Sequence, residues 1–112
     1  MFYIEKTIEI SASHSLTLDY ESKCTQPHGH NWVITIYCKS EELDRNGMVV
    51  DFAEIKHKVK DTLDHKDLNK VLSFNTTAEN IARWISEQIG TCYKVRVQES
   101  LGNVAVYEVP GK

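Results

Sequence analysis

Cys24-Thr25-Gln26-Pro27-His28-Gly29-His30-Asn31-Trp32 is the stretch from which the rest of the chain can be read. Two histidines stand two residues apart at the head of an apolar run. In that run Trp32, Ile34, Ile36 and Cys38 share one parity, and Asn31, Val33, Thr35 and Tyr37 share the other. Side chains two apart on a β-strand point to the same face, so His28 and His30 belong to the side of Trp32 and Ile34. The spacing predicts a strand over 28–39. Two imidazoles on a buried face, with no carboxylate close by in sequence, suggest a metal and need a third ligand.

That ligand lies upstream. Phe2, Ile4, Ile8, Ile10 and Ala12 alternate with mostly polar residues, which predicts a half-buried strand whose inner face ends at His14. If the two strands are antiparallel neighbours, the end of the first meets the start of the second. His14, His28 and His30 then converge. The connection between them, 16–27, is long for a hairpin, and long connections in compact domains are often functional. Cys24 sits in it.

Downstream, the polar segment 40–47 closes on the turn dipeptide Asn46-Gly47. Asp51 and Glu54 are spaced as an N-cap and its capping-box partner. Phe52, Ile55, Val59 and Leu63 follow as one stripe of an amphipathic helix. A non-helical stretch over 64–69 leads to Thr76 and Glu79, a second capping-box pair, and to a helix carrying Ile81, Ala82, Ile85 and Ile89. Gly90 is expected to stop it. Tyr93, Val95, Val97 and Glu99 share one face of a third strand, Lys94, Arg96 and Gln98 the other. A turn at 101–103 returns the chain over 104–109. The order ββααββ predicts an α+β layer, a four-stranded antiparallel sheet with two helices on one face, as a single domain over 1–112.

Composition bounds the reading. The 112 residues suffice for one domain with a real core, though oligomerisation would help so small a chain. A net charge of −3 offers nothing to nucleic acid, and the basic cluster Lys56, His57, Lys58, Lys60 reads as a solvated helix face. No apolar run approaches membrane-spanning length, and the first residues lack the pattern of a signal peptide. Three irregularly spaced cysteines argue against a disulfide framework and for a reducing cytoplasm.

Four features carry chemistry. Three imidazoles meeting at one sheet end need three sets of partners if they are merely core residues; three histidine nitrogens plus water form an open zinc site. Cys38 and Cys92 read as small buried hydrophobes, but Cys24 lies in a polar loop beside Lys23, where thiolate is favoured. It reads as a base or nucleophile, or as a fourth zinc ligand. Asp64-His65 is by itself a weak signal. Glu99 is a carboxylate where the strand pattern expects a hydrophobe, which suits either a strand end in solvent or a partner for a cationic or N–H-rich ligand.

Several strings together resemble the 6-pyruvoyltetrahydropterin synthase family: Ser11-Ala-Ser-His14, Cys24-x-x-x-His28-Gly-His30, Gly47-Met-Val-Val-Asp-Phe52, Leu63-Asp-His-Lys-Asp-Leu-Asn69, Asn75-Thr-Thr-Ala-Glu-Asn80 and Val97-Gln-Glu-Ser100. They occur in the family's order and span nearly the whole chain. The three residues between Cys24 and His28 match the bacterial queuosine branch, 6-carboxy-5,6,7,8-tetrahydropterin synthase; animal pyruvoyl enzymes have a longer insert. The resemblance implies the tunnelling fold (T-fold), commonly a homo-oligomer, a hexamer built as a dimer of trimers. It implies Zn²⁺ on His14, His28 and His30, Cys24 as general base, and Asp64 with His65 completing a Cys-Asp-His triad. Glu99 would anchor the pterin's guanidine-like edge, with Thr76 and Thr77 near the ring. The implied substrate is 7,8-dihydroneopterin triphosphate, cleaved to 6-carboxy-5,6,7,8-tetrahydropterin, acetaldehyde and triphosphate. The other readings are a pyruvoyl-type or folate-branch pterin synthase and a non-catalytic zinc- or pterin-binding homologue. Lys23 is a candidate for the triphosphate.

Overall fold

In the computed structural model, which describes residues 1–112, four strands form one antiparallel sheet in the order β1-β2-β3-β4. They are β1 (Phe2–His14), β2 (His28–Ser40), β3 (Cys92–Ser100) and β4 (Asn103–Glu108). Helical segments lie between β2 and β3. α1 (Phe52–Ile55) passes through a wider π-helical turn (Lys56–Lys60) into α2 (Asp61–Leu63), α3 (Leu68–Val71) follows, and α4 (Ala78–Gln88) ends the helical part. One cluster holds the core, joining Ile10, Trp32 and Ile34 of the sheet to Ile55, Leu63 and Ile85 of the helices. The expected α+β layer is therefore present, with one face of the sheet covered.

The alternation in β1 holds from Ile8 inward to His14, all of whose even positions are buried. At the other end it fails. Phe2 is half exposed, at a groove it shares with Leu43, Met48 and Phe52. In the helical run from α1 to α2, Ile55, Val59 and Leu63 are fully buried at a constant spacing of four. Four residues overshoot an ideal 3.6-residue turn by about 40°, and the wider π turn between them absorbs that drift. Phe52, expected on the same stripe, is exposed instead and lies under Lys6 Nζ at 5.9 Å. Asp51 caps the helix by accepting from Ala53 N at 2.8 Å. Its expected box partner Glu54 turns away to Lys58, 3.7 Å distant.

Three further expectations are corrected. The stretch 64–69 is not wholly irregular: its first half runs along the free edge of β1, where His65 N donates to Ser11 O (2.7 Å) and Ser13 N to Lys66 O (3.1 Å). Asp67 then caps α3, accepting from Asn69 N at 3.1 Å, so that Leu68 can bury its side chain. The cap of α4 is Thr77, whose hydroxyl accepts from Asn80 N at 3.1 Å; Thr76, the expected cap, lies one residue earlier and is fully buried. α4 ends at Gln88, where Ile89 turns extended to bury itself before Gly90 is reached.

Tyr93 does not share a face with Val95 and Val97. The β2–β3 register runs Tyr37↔Lys94 and then Cys38↔Cys92, which leaves Tyr93 as an extra residue. A bulge inverts the parity beyond it. Cys92 takes the buried place, while Tyr93 joins Tyr3 and Tyr37 on the outer face, with ring centroids 5.9 and 6.3 Å away.

Candidate metal and pterin site

The register of β1 against β2 pairs His14 directly with His28 and Ala12 with His30. The three imidazoles therefore meet at one end of the sheet, on its covered face. Their ring centroids are 4.5 Å (His14–His28), 4.8 Å (His28–His30) and 5.4 Å (His14–His30) apart. One nitrogen from each lies within 4.8 Å of the others. Trp32 forms the floor, edge-on to His14 and His30, with its indole N–H donated to Ala12 O at 3.2 Å.

The outer nitrogens decide the tautomers. His14 Nδ1 is 2.8 Å from the Thr76 carbonyl, and His28 Nδ1 is 2.8 Å from the Gln26 carbonyl. A carbonyl only accepts, so both Nδ1 atoms carry hydrogen, and each Nε2 keeps its lone pair. The side chain of His14 is wholly buried. Burial lowers its pKa below the ordinary imidazole value, helped by His28 and His30 and opposed by the Thr76 carbonyl and Glu99. His14 Nε2 and His30 Nε2 are buried without a hydrogen-bond partner. Two orphaned imidazole nitrogens, on His14 and His30, crowded beside a third ring, with His14 and His28 each held through Nδ1, suit a divalent cation of the zinc class.

A carboxylate faces the same space. Glu99 Oε1 is 3.4 Å from His30 Nε2, and Oε2 is 3.9 Å from His14 Nε2. Glu99 sits at an irregularity: Gln98 pairs with Val104 and Ser100 with Asn103, so Glu99 is the unpaired residue of a bulge. Bulges re-aim side chains and gather beside functional sites. Strand parity had placed Glu99 on this face, but the bulge has no sequence signature. Glu99 and Thr77 line a groove of about 450 Å³ together with Leu16, Leu18 and Tyr20 of the β1–β2 connection. Thr76 lies behind His14, its hydroxyl 3.2 Å from Nδ1.

Two residues that pattern reading passed over hold the β1–β2 connection in place. Asn69 accepts from Ser15 N (2.8 Å) and donates to Ser15 O (2.9 Å). Asn75 does the same to Thr17 at 2.9 and 3.0 Å. Each amide imitates a β-partner, a role that spacing cannot reveal.

Cys24 lies in a single 3₁₀ turn (Lys23–Thr25), half-buried, with its N–H donated to Ser22 Oγ at 3.1 Å and its carbonyl accepting from Leu16 N at 2.8 Å. Asp64 and His65 form a pair with Oδ2 and Nε2 3.6 Å apart; Asp64 Oδ1 also accepts from Ser11 N at 2.9 Å. His65 has φ of 58°, a left-handed conformation that turns its 81% exposed side chain out of the β1 edge. It lines a polar groove of about 490 Å³ at the β1 edge together with Ser11, Asn31 and His30. No hydrogen bond within the chain joins this pair to Cys24.

Comparison with known proteins agrees with this geometry. The family model described as 6-pyruvoyl tetrahydropterin synthase matches residues 3–110. A 6-carboxy-5,6,7,8-tetrahydropterin synthase of Synechocystis is 35% identical, over 98% of this chain and 95% of the relative. The human 6-pyruvoyl tetrahydrobiopterin synthase is 30% identical over 94% and 90%. The solved structure of Caenorhabditis elegans 6-pyruvoyl tetrahydropterin synthase superposes with a TM-score of 0.76 at 28% identity, covering 96% of this chain and 95% of that one. Motif order, T-fold topology and the match along nearly the whole chain have one consequence: this protein belongs to the 6-pyruvoyl tetrahydropterin synthase family.

Proposed function

We propose that the chain is a zinc-dependent lyase that converts 7,8-dihydroneopterin triphosphate to 6-carboxy-5,6,7,8-tetrahydropterin, releasing acetaldehyde and triphosphate on the route to queuosine. The observation that carries this is the cluster of His14, His28 and His30, in which the orphaned Nε2 atoms of His14 and His30 lie 3.9 and 3.4 Å from the Glu99 carboxylate. Zinc held there would supply Lewis acidity to the side-chain hydroxyls of the substrate. Glu99 accepts from the N–H edge of the pterin, a charged hydrogen-bonded contact that orients the ring. Thr77 borders the ring at the mouth of the groove, and Thr76 holds His14 from behind. Cys24 takes a proton as thiolate, and His65, oriented by Asp64, moves a second one.

Homo-oligomerisation, a cytoplasmic location and a role for Lys23 near the triphosphate belong to the same proposal. No helix is long and apolar enough to cross a membrane. The outer edge of β4, with Val104 and Val106 exposed, is an open strand edge that a second copy would cover.

The spacing of Cys24 and His28 favours the carboxy product. The second reading, a pyruvoyl-type synthase, is favoured by the human relative and would use the same residues. Incubation of the zinc-loaded protein with 7,8-dihydroneopterin triphosphate separates them. Acetaldehyde with 6-carboxytetrahydropterin is the expected outcome; a pyruvoyl product without acetaldehyde would establish the second reading, and no pterin turnover would overturn both.

A further inference from the structure

At the end of the sheet remote from the histidines, two cysteines that the mechanism does not use face each other. Cys38 of β2 and Cys92 of β3 are register partners, and both are fully buried. The next pair along, Lys39 and Thr91, is hydrogen-bonded, Lys39 N donating to Thr91 O at 3.0 Å. Hydrogen-bonded and non-hydrogen-bonded pairs alternate in an antiparallel ladder. Cys38–Cys92 therefore occupies the non-hydrogen-bonded kind, in which Cα atoms approach to about 4.5 Å and side chains stand closest. That separation lies within the range a disulfide spans.

Two buried cysteines packed only as hydrophobes would show no preferred partner, but these two do. The nearness of each thiol to the other lowers the Cys92 pKa and raises that of Cys38; burial opposes the first shift and adds to the second. Cys92 is weakly bonded on its other side to Lys94 O at 3.5 Å. The ammonium of Lys112 sits over this end of the sheet, donating to Gly90 O and, at 3.3 Å, to Cys92 O. A cation beside a thiol favours thiolate, the reactive form.

We propose that Cys38 and Cys92 are a dithiol that closes to a cross-strand disulfide by exchange with a small-molecule disulfide. The Cys92 thiolate attacks one sulfur of the reagent, forming a mixed disulfide and expelling one thiolate. Cys38 gives up its proton and attacks Cys92 Sγ, expelling the second thiolate. The two protons leave with the two released thiols, so the dithiol is oxidised and the reagent is reduced. Access comes from fraying of the strand ends, since Cys92 opens β3 and Cys38 lies close to the end of β2. The disulfide would join the strands that carry His28, His30 and Glu99 while leaving their register unchanged.

The test is incubation of the folded chain with oxidised glutathione, followed by intact mass measurement and non-reducing peptide mapping. A Cys24→Ser version removes the third thiol. The expected result is a loss of two hydrogens, one Cys38–Cys92 linked peptide pair and an unchanged far-ultraviolet spectrum. Adding Cys92→Ser should abolish the mass change. Two thiols that remain free after prolonged native incubation, or two separate glutathione adducts, would overturn the proposal, and wild-type protein gives the same answer should either variant fold poorly.

Discussion

The Nδ1 proton of His14 rests on the main-chain carbonyl of Thr76 at 2.8 Å, although the two residues are 62 positions apart in sequence. The contact joins the end of β1 to the residue just ahead of the α4 cap. It fixes the imidazole as its Nε2 lone-pair tautomer, pointing at His28, His30 and Glu99.

A pH dependence follows from that burial. The pKa of His14 is lowered in the folded chain, so the unfolded state takes up a proton first as pH falls. The contribution is present above the unfolded value of 6.5 and is lost as pH drops from there through the folded value. Metal-free protein should show a falling urea midpoint below that pH, and His14→Gln should flatten this part of the curve. An equally steep fall in the variant would assign the effect to other groups.

Thr76 and Thr77 should respond differently to truncation. Thr77→Ala removes the hydroxyl that accepts from Asn80 N and should cost about 0.5–2 kcal/mol of stability, the usual range for a lost N-cap. Thr76→Ala removes a hydroxyl beside His14 Nδ1 but keeps the carbonyl. Its expected signature is weaker zinc retention under competing chelator, with little change in the helix. Denaturation curves and chelator titrations on the two variants distinguish these outcomes.

Glu99→Gln keeps the size of the side chain and removes its charge. Pterin binding should weaken by roughly 2–4 kcal/mol, the scale of breaking a buried charged pair. Zinc content should be retained, because the three imidazoles remain. Fluorescence titration with a pterin measures the first, metal analysis the second; unchanged affinity would put Glu99 outside the pterin contact.

Cys24→Ala should leave zinc and pterin binding near normal while turnover falls by ~10²–10⁴-fold, the usual contribution of a positioned general base. Alkylation of the wild-type thiol should have the same effect and be slowed by bound pterin. Near-normal turnover in the variant would make Cys24 a bystander.

Much of this site could be read from the chain because it is built on period two. His14 ends one alternating run, and His28 and His30 begin another, so parity and an antiparallel hairpin suffice to bring them together. What escaped the reading lies where the period breaks. The extra residue at Tyr93 inverts a face, and the one at Glu99 leaves that residue unpaired with β4 on the face where parity had already placed it; a bulge leaves no mark on composition. The segment 64–67 looks like a loop because it pairs along one edge only, through main-chain groups that any residue supplies. Capping-box spacing pointed to Thr76, but burial behind His14 competed for that residue, and the adjacent Thr77 took the cap.

In the proposed site His14, His28 and His30 hold zinc and leave Cys24 free for proton transfer. X-ray absorption at the zinc edge of the natively purified protein reads that ligand set. The expected result is about one zinc per chain with three nitrogen ligands and one oxygen at ~2.0–2.1 Å and no sulfur. A sulfur neighbour at ~2.3 Å would make Cys24 a ligand in a closed structural site, and protein purified without zinc would contradict the metal centre itself.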